Sequence, residues 1–356
     1  MVQIAYLILI FRRFAFLNER KTKSQFSNPV TVLICARNEE ANLQRNLQQI
    51  LEQDYCHFEV IVVNDLSTDG TQSVISELIG KYPNLKLVNL DRNEERKVRG
   101  KKHALTAGVK AASHAIILAT DADCSPFSKY WIQEMVSSFN NEKTEIVLGY
   151  APYAKTSGFL NQLIQYETFQ TANNYFSFQT AGMPYMGVGR NIAFKKKFFL
   201  SQDWYAKGGQ VPSGDDDIFV NQASNSINTE IIFSEDSKTV SEPSKTWNEW
   251  ITQKTRHFQA GKYYKPYHLL LLSSHFLSNF LTYLLIPLVT FFSAWSITIV
   301  SMCVLKFSLQ GIILRRSMKK LGVEELWRGF LIYDLTYSII LLYTNILTIC
   351  RSPKWK

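Results

Sequence analysis

The sequence predicts an α/β fold with a mostly parallel sheet, helices on both faces, and a helical membrane region behind it. Three observations carry this. Short apolar, β-branched runs alternate with helix-spaced segments in the first half of the chain, polar and acidic residues follow several of those runs, and no charged residue occurs from Leu269 to Leu305. Parallel strands need a crossover between them, so a β-α-β-α order gives a parallel sheet.

Taken in order, Met1 to Leu17 is apolar over Ile4 to Phe11 but is interrupted by Arg12-Arg13. It is short for a span and lacks a small-residue cleavage site, so it reads as the end of a transmembrane helix or an interfacial anchor. Buried strands are expected at Val30 to Ala36, Glu59 to Asn64, Lys86 to Leu90, Ala115 to Thr120 and Glu145 to Leu148. Helical spacing covers Glu39 to Gln53 and Thr71 to Lys81, the second starting at Asp69. The uncharged stretch is long enough for two crossings of roughly 20 residues each. These are expected near Leu269 to Phe292 and Trp295 to Leu314, and a third apolar run covers Phe330 to Ile349. A single crossing there would leave Arg351, Lys354 and Lys356 outside, so either that run is re-entrant or interfacial or the tail is an exception. Lys306 and Asp334, within apolar runs, are expected to face other helices or to snorkel. The 356 residues thus divide into a membrane anchor or interfacial helix (1–26), a cytosolic domain (27–265) and transmembrane helices (266–356).

The formal charge of +9 gathers at Arg12, Arg13, Arg20, Lys21 and Lys23, at Lys254, Arg256, Lys262 and Lys265, and at Arg315, Arg316, Lys319 and Lys320. These positions flank apolar segments, which is the positive-inside pattern and argues against a nucleic-acid surface. Cys35, Cys56, Cys124, Cys303 and Cys350 are odd in number and scattered. They read as reduced thiols, which places the soluble part in the cytosol and argues against a zinc site.

In a parallel sheet, ligands bind beyond the carboxyl ends of the strands. Arg37-Asn38-Glu39 follows the first strand, Asp65 the second, and Asp121-Ala122-Asp123 the fourth. Alternate residues of an extended segment point the same way, so Asp121 and Asp123 can hold one hard cation with positions open to phosphate oxygens. The plainer reading is a solvated turn after a strand; convergence with the other two clusters on one rim favours the metal. No phosphate-binding P-loop or Gly-x-G-x-x-Gly fingerprint competes for the nucleotide.

Val32 to Glu40, Val60 to Thr71, Gly100-Lys101-Lys102-His103-Ala104-Leu105, the Asp121/Asp123 pair and Gly214-Asp215-Asp216-Asp217 occur in an order and spacing that resembles membrane-bound glycosyltransferase family 2. That group includes the cellulose, hyaluronan and poly-N-acetylglucosamine synthases, and this chain is most similar to a non-processive or weakly processive bacterial member. The resemblance runs from about Val30 to Lys265. It implies a GT-A type nucleotide-sugar-binding domain, Mg²⁺ or Mn²⁺ held by Asp121 and Asp123, and transfer of a hexosyl or N-acetylhexosaminyl group from a UDP-sugar or similar donor with inversion. By the same resemblance Ala36, Arg37, Asn38, Glu39, Asp65, Lys101 and Asp121 contact the nucleotide sugar, Asp65 by accepting a hydrogen bond from a uracil-like base. Asn64 stands where the family often has a further Asp. Lys102 and His103 read as surface residues on a helix start, and Asp65 read plainly is a turn residue over Ser67 to Gly70.

Attack by an acceptor hydroxyl requires a base. The acidic run can be laid on the family pattern in two registers, one making Asp215 the base and the other Asp216; acids at a helix start are also routine caps. Gly187 to Phe194, with Gly189, Arg190 and Asn191, is similar to the family segment beside donor sugar and acceptor, where glycine permits close backbone approach. Gln253, Arg256 and His257 are similar to the family's Gln-x-x-Arg-Trp motif, with His257 in place of Trp. Gln253 and Arg256 share a helix face and could reach the diphosphate or acceptor. The same stretch also suits an interfacial helix. The resemblance implies membrane lipids and a lipid-linked or glycan acceptor as partners, no nucleic acid, and a place in the inner membrane facing the cytoplasm. A non-catalytic subunit of a polysaccharide export complex and a sugar nucleotidyltransferase are the competing classes; intact acidic motifs oppose the first, and the absence of glycines at Cys35 to Asn38 opposes the second.

Overall fold

The computed structural model describes residues 1–19, 26–91, 101–202, 214–292 and 296–350, with only the backbone described at 215, 286–292, 296, 349 and 350. Arg20, Lys21, Lys23, Gly100, residues 208–213 and the cations Arg351, Lys354 and Lys356 lie outside the described residues, as does the Asp215 side chain. The chain forms two compact units. One comprises Glu19–Ala154 and Tyr185–Pro243; the other comprises Met1–Asn18, Lys155–Pro184 and Ser244–Lys356.

The first unit is built on a seven-stranded sheet. Its strands are β1 (Val30–Ala36), β2 (Phe58–Asn64), β3 (Leu85–Asn89), β4 (Ile116–Asp121), β6 (Ile146–Leu148), β7 (Ile192–Lys195) and β8 (Thr229–Ile231), in the order β3-β2-β1-β4-β7-β6-β8. β3, β2, β1 and β4 run parallel, whereas β7 is antiparallel to both β4 and β6. A separate ribbon pairs β5 (Cys124–Pro126) with β9 (Thr239–Ser241). The five expected strands are present with ends shifted by about a residue, and the expected helices close at Leu51 and Ile79, the latter before Gly80. Strands β7 and β8 have no counterpart in the sequence reading.

Strand alternation decides which side chains reach which face. Val30, Val32, Ile34 and Ala36 enter the core shared with Leu43, Leu47 and Ile50 of helix Glu40–Leu51 and Ile75 of helix Thr71–Ile79. Leu33 and Val63 face the other way, onto helix Lys101–Ala111, where a Cβ added at Gly108 would lie 2.3 Å from a Leu33 methyl carbon and 2.8 Å from one of Val63. Cys35 is the register partner of Asp121 in the parallel β1/β4 pair. Asp121 therefore emerges on the face covered by the helix that begins at Lys101.

In the second unit, three helices among the described residues are long and apolar enough to cross a membrane: Pro266–Leu285, Ile297–Leu321 and Glu324–Thr348. The third covers the run whose crossing was left open by its flanking charges. Asp334 within it is 3% exposed and accepts from Tyr166, Gln170, Asn279, Tyr283 and Gln310 at 2.8–3.3 Å, so it does face other helices. Lys306, also buried, donates to Asn279 at 3.2 Å. The N-terminal segment packs into the same unit, with Gln3 donating to the His275 carbonyl and Tyr6 to that of Leu271, both at 2.8 Å.

Candidate active site

The rim of the first unit is built by tight turns at the strand ends. After β1, Asn38 adopts a left-handed φ of 57°, which Asn tolerates better than most residues. Its side-chain oxygen accepts from the Thr68 amide at 2.8 Å, and its own amide donates to the Ser67 hydroxyl at 3.0 Å. Asn64 accepts from the Ser67 amide at 3.2 Å. The turn after β2 is thus held by Asn38 and Asn64. Asp65 itself is 4% exposed, with its amide donating to the Ala36 carbonyl at 2.8 Å. Arg37 is exposed on this rim, and Ala36 is buried.

Asp121 and Asp123 do not continue a strand. β4 ends at Asp121, and residues 122 and 123 turn the chain into β5, with Ala122 buried at 4% exposure. The side chains are brought near each other by this turn in place of a two-residue strand period. Burial pushes the Asp123 carboxyl above its ordinary range, and the Asp121 carboxylate adds to the shift. Arg190, a hydrogen bond from the Cys124 thiol and Lys101 pull it back. Glu39 is raised by burial; its hydrogen bond from Asn42 opposes this, and Asp123, Asp121 and Asp69 reinforce it.

Lys101 forms an ion pair with Asp121, and a second carboxylate comes from a distant helix. Gly214, at φ 86°, starts helix Asp215–Ala223, whose Ile218, Phe219 and Val220 are buried. That anchoring directs Asp216 to the Gly189 amide, which donates to its Oδ2. A Cβ at position 189 would lie 2.9 Å from that oxygen, so this approach requires glycine. Burial raises the Asp216 carboxyl above its ordinary range; Lys101 opposes the shift, Asp121 adds to it, and the Gly189 amide lowers it. Cys35, Lys101, Leu105, Gly189, Asp216 and Phe219 line one cleft.

Arg190 is half-buried, with its guanidinium 4.3 Å from the centre of the Tyr153 ring and donating to the Ser241 hydroxyl at 2.9 Å. Its carbonyl accepts from Thr120 and Thr239, both at 2.9 Å. Tyr153, Ser241 and Thr239 therefore fix its position, and no local sequence signal marks them. Asn191 corrects its expected role: fully buried, it donates to the Tyr150 and Ser237 carbonyls at 2.9 and 2.8 Å and accepts from Trp131 at 3.0 Å. Its side chain is committed to holding strand ends together, leaving no polar position for a diphosphate. Lys102 is likewise fully buried instead of lying on the surface. Gln253, Arg256 and His257 lie in the other unit, on helix Trp247–His257, which starts at a capping box formed by Thr246 and Glu249. Between the two registers of the acidic run, the described side chain at the cleft is that of Asp216.

The Asp121 and Asp123 carboxylates supply oxygen donors, which hard divalent cations prefer. Among the described residues no group of three or more His, Cys, Asp or Glu side chains could hold a metal ion. Mg²⁺ and Mn²⁺ are commonly held by one or two carboxylates, with water and substrate phosphates completing the coordination.

The parallel sheet with one antiparallel insertion and a carboxylate-lined rim defines a GT-A type fold. Over 95% of this chain and 94% of the other, it is similar to a mannosyltransferase from Pyrobaculum calidifontis solved in complex with GDP-Man and Mn²⁺, with a TM-score of 0.55 and 19% identity. Residues 31–200 match the family model described as Glycosyl transferase family 2. It is 28% identical to glycosyltransferase AglE of Haloferax volcanii over 52% of this chain and 56% of that relative. It is 34% identical to a poly-beta-1,6-N-acetyl-D-glucosamine synthase of Staphylococcus epidermidis over 29% of this chain and 24% of that one. The chain thus spans about half the length of the first of these relatives and a quarter of the second.

Proposed function

We propose that the chain is a membrane-associated, inverting glycosyltransferase that moves a sugar from a nucleoside diphosphate, of the UDP-sugar class, to a lipid-linked or glycan acceptor. The observation that carries this reading is the grouping of Lys101, Asp121, Gly189 and Asp216 at the carboxyl end of the sheet. The match to the family model and the three bilayer-length helices support it. The catalytic unit faces the cytoplasm of the inner membrane, a placement favoured by the basic residues that flank the apolar helices.

In this reading Asp216 accepts the proton of the acceptor hydroxyl as its oxygen bonds to the anomeric carbon and the bond from that carbon to the diphosphate oxygen breaks. A raised proton affinity suits a base working near neutral pH. The Gly189 amide fixes the carboxylate, and Lys101 places positive charge beside the departing diphosphate. Asp121 and Asp123 would hold Mg²⁺ or Mn²⁺, which neutralises diphosphate charge when bound. Arg37, Asn38, Glu39 and Asp65 are assigned to the base and ribose, and Arg190 to the diphosphate side. Gln253, Arg256 and His257 remain candidates for the acceptor side.

The test is a binding screen of UDP-, GDP- and dTDP-sugars against the purified full-length chain with Mn²⁺ and with EDTA. Metal-dependent binding of one donor is expected, and it should be lost in Asp121→Asn and Asp123→Asn variants that still unfold cooperatively. Undiminished binding in both variants would overturn the metal assignment; binding of none of the donors, with or without metal, would overturn the transferase reading.

A further inference from the structure

Two basic stretches far apart in sequence meet in the helical unit. Residues 2–15 are helical, and Phe16 follows Arg12 and Arg13 by one turn, so the three positions lie on one side of the segment; the Arg13 guanidinium reaches back to donate to the Leu9 carbonyl at 2.9 Å. Arg316 lies over the Phe16 ring with its guanidinium carbon 4.3 Å from the ring centre, and Lys320 donates to the Leu17 carbonyl. Lys319 is one turn from Arg316 on the same helix, and Arg12, Arg13, Arg316 and Lys319 are all exposed. Two acids that could neutralise this end are engaged elsewhere: Glu324 with Arg315 at 3.2 Å and Glu325 with Lys155 at 2.5 Å.

Apolar side chains are exposed on the same two helical segments. Ile8, Leu9, Phe16 and Ile312 are 44, 61, 46 and 55% exposed. A soluble polyanion would satisfy the cations and leave these groups in water. An anionic phospholipid satisfies both, because its phosphate accepts from planar guanidinium groups while its tails cover the apolar side chains.

We propose that Arg12, Arg13, Arg316 and Lys319 form a binding site for the phosphate headgroup of an anionic phospholipid, with its acyl chains against Ile8, Leu9, Phe16 and Ile312. The proposal rests on the reading of the apolar helices as membrane-crossing. It adds a preference for headgroup charge, which bilayer insertion does not require.

The experiment reconstitutes the full-length chain in nanodiscs of equimolar phosphatidylcholine and phosphatidylglycerol, extracts it in detergent and counts retained lipids by native mass spectrometry. Phosphatidylglycerol is expected to exceed phosphatidylcholine by about fivefold, the gain from one basic side chain at an anionic surface. The excess should fall to parity in R12Q/R13Q/R316Q/K319Q and persist in R12K/R13K/R316K. If the glutamine variant does not fold, the wild type decides: its excess must fall by at least half in about 1 M salt, where charges are screened beyond ~3 Å. Parity in an inserted wild-type chain, an excess unmoved by the glutamine variant or by salt, or displacement of the lipid by inorganic phosphate overturns the proposal. A chain that does not enter the discs overturns the membrane reading, and this proposal with it.

Discussion

Replacing Asp216 by Asn separates chemistry from architecture at one position. The asparagine carbonyl can still accept from the Gly189 amide, and the buried anchors Ile218, Phe219 and Val220 keep the helix seated. The fold should therefore change by no more than about 1 kcal/mol, the worth of one altered hydrogen bond. The proton acceptor is gone, however. Loss of a positioned general base lowers kcat by about 10²- to 10⁴-fold, or roughly 3 to 5 kcal/mol in barrier height. Single-turnover transfer from the donor found in the binding screen measures this, with donor affinity expected to stay within about threefold, under 1 kcal/mol. The pH profile gives a second readout. Burial raises the Asp216 carboxyl, so the folded chain keeps this proton to higher pH than the unfolded chain. The group's contribution to stability is present at low pH and is lost as pH rises from the ordinary carboxylate range through the raised folded value. The acid limb of kcat/KM should lie above the ordinary carboxylate range, and Asp216→Asn should remove the associated fall in stability. A variant that retains more than about a tenth of wild-type kcat refutes Asp216 as the base; an inactive Asp215→Asn beside it would transfer the role.

Three further predictions follow from the packing. Glu59, 4% exposed, accepts from Thr31 at 2.6 Å and from Lys86 at 2.6 Å. Burial alone would raise its carboxyl, but the Lys86, Thr31 and Ser113 hydrogen bonds bring it down to about 2. Its stabilisation, up to about 3 kcal/mol, is present above the ordinary Glu value and lost as pH falls toward 2; Glu59→Gln should flatten the acid limb of urea-unfolding stability between these limits. Gly108→Ala forces a Cβ to 2.3 Å from Leu33 and should cost about 1 to 3 kcal/mol in the same assay. Asp334→Leu strands five donors that now share one carboxylate, so a loss of more than about 3 kcal/mol is expected from thermal unfolding in detergent.

The sequence by itself determined the parallel half of the sheet, because the runs in β1, β2 and β4 are apolar enough to be buried on both faces and helices with clear spacing separate β1, β2 and β3. It also marked the strand-end residues, since any side chain immediately beyond a parallel strand sits on the ligand-binding rim. The long apolar helices needed only composition and length. Tertiary structure decided what those local signals do not encode. The cleft depends on Gly189 and Asp216, which lie 27 positions apart and meet because Ile218, Phe219 and Val220 are buried. Asn191 and Lys102 looked like rim or surface residues, yet neighbours distant in sequence bury them. Antiparallel β7 is inserted beside β4, which carries the Gly189–Arg190 turn to the carboxyl end of the sheet. Periodicity reports which side of an element is apolar; which partner covers that side, and which polar groups are then left at the rim, is settled only by packing.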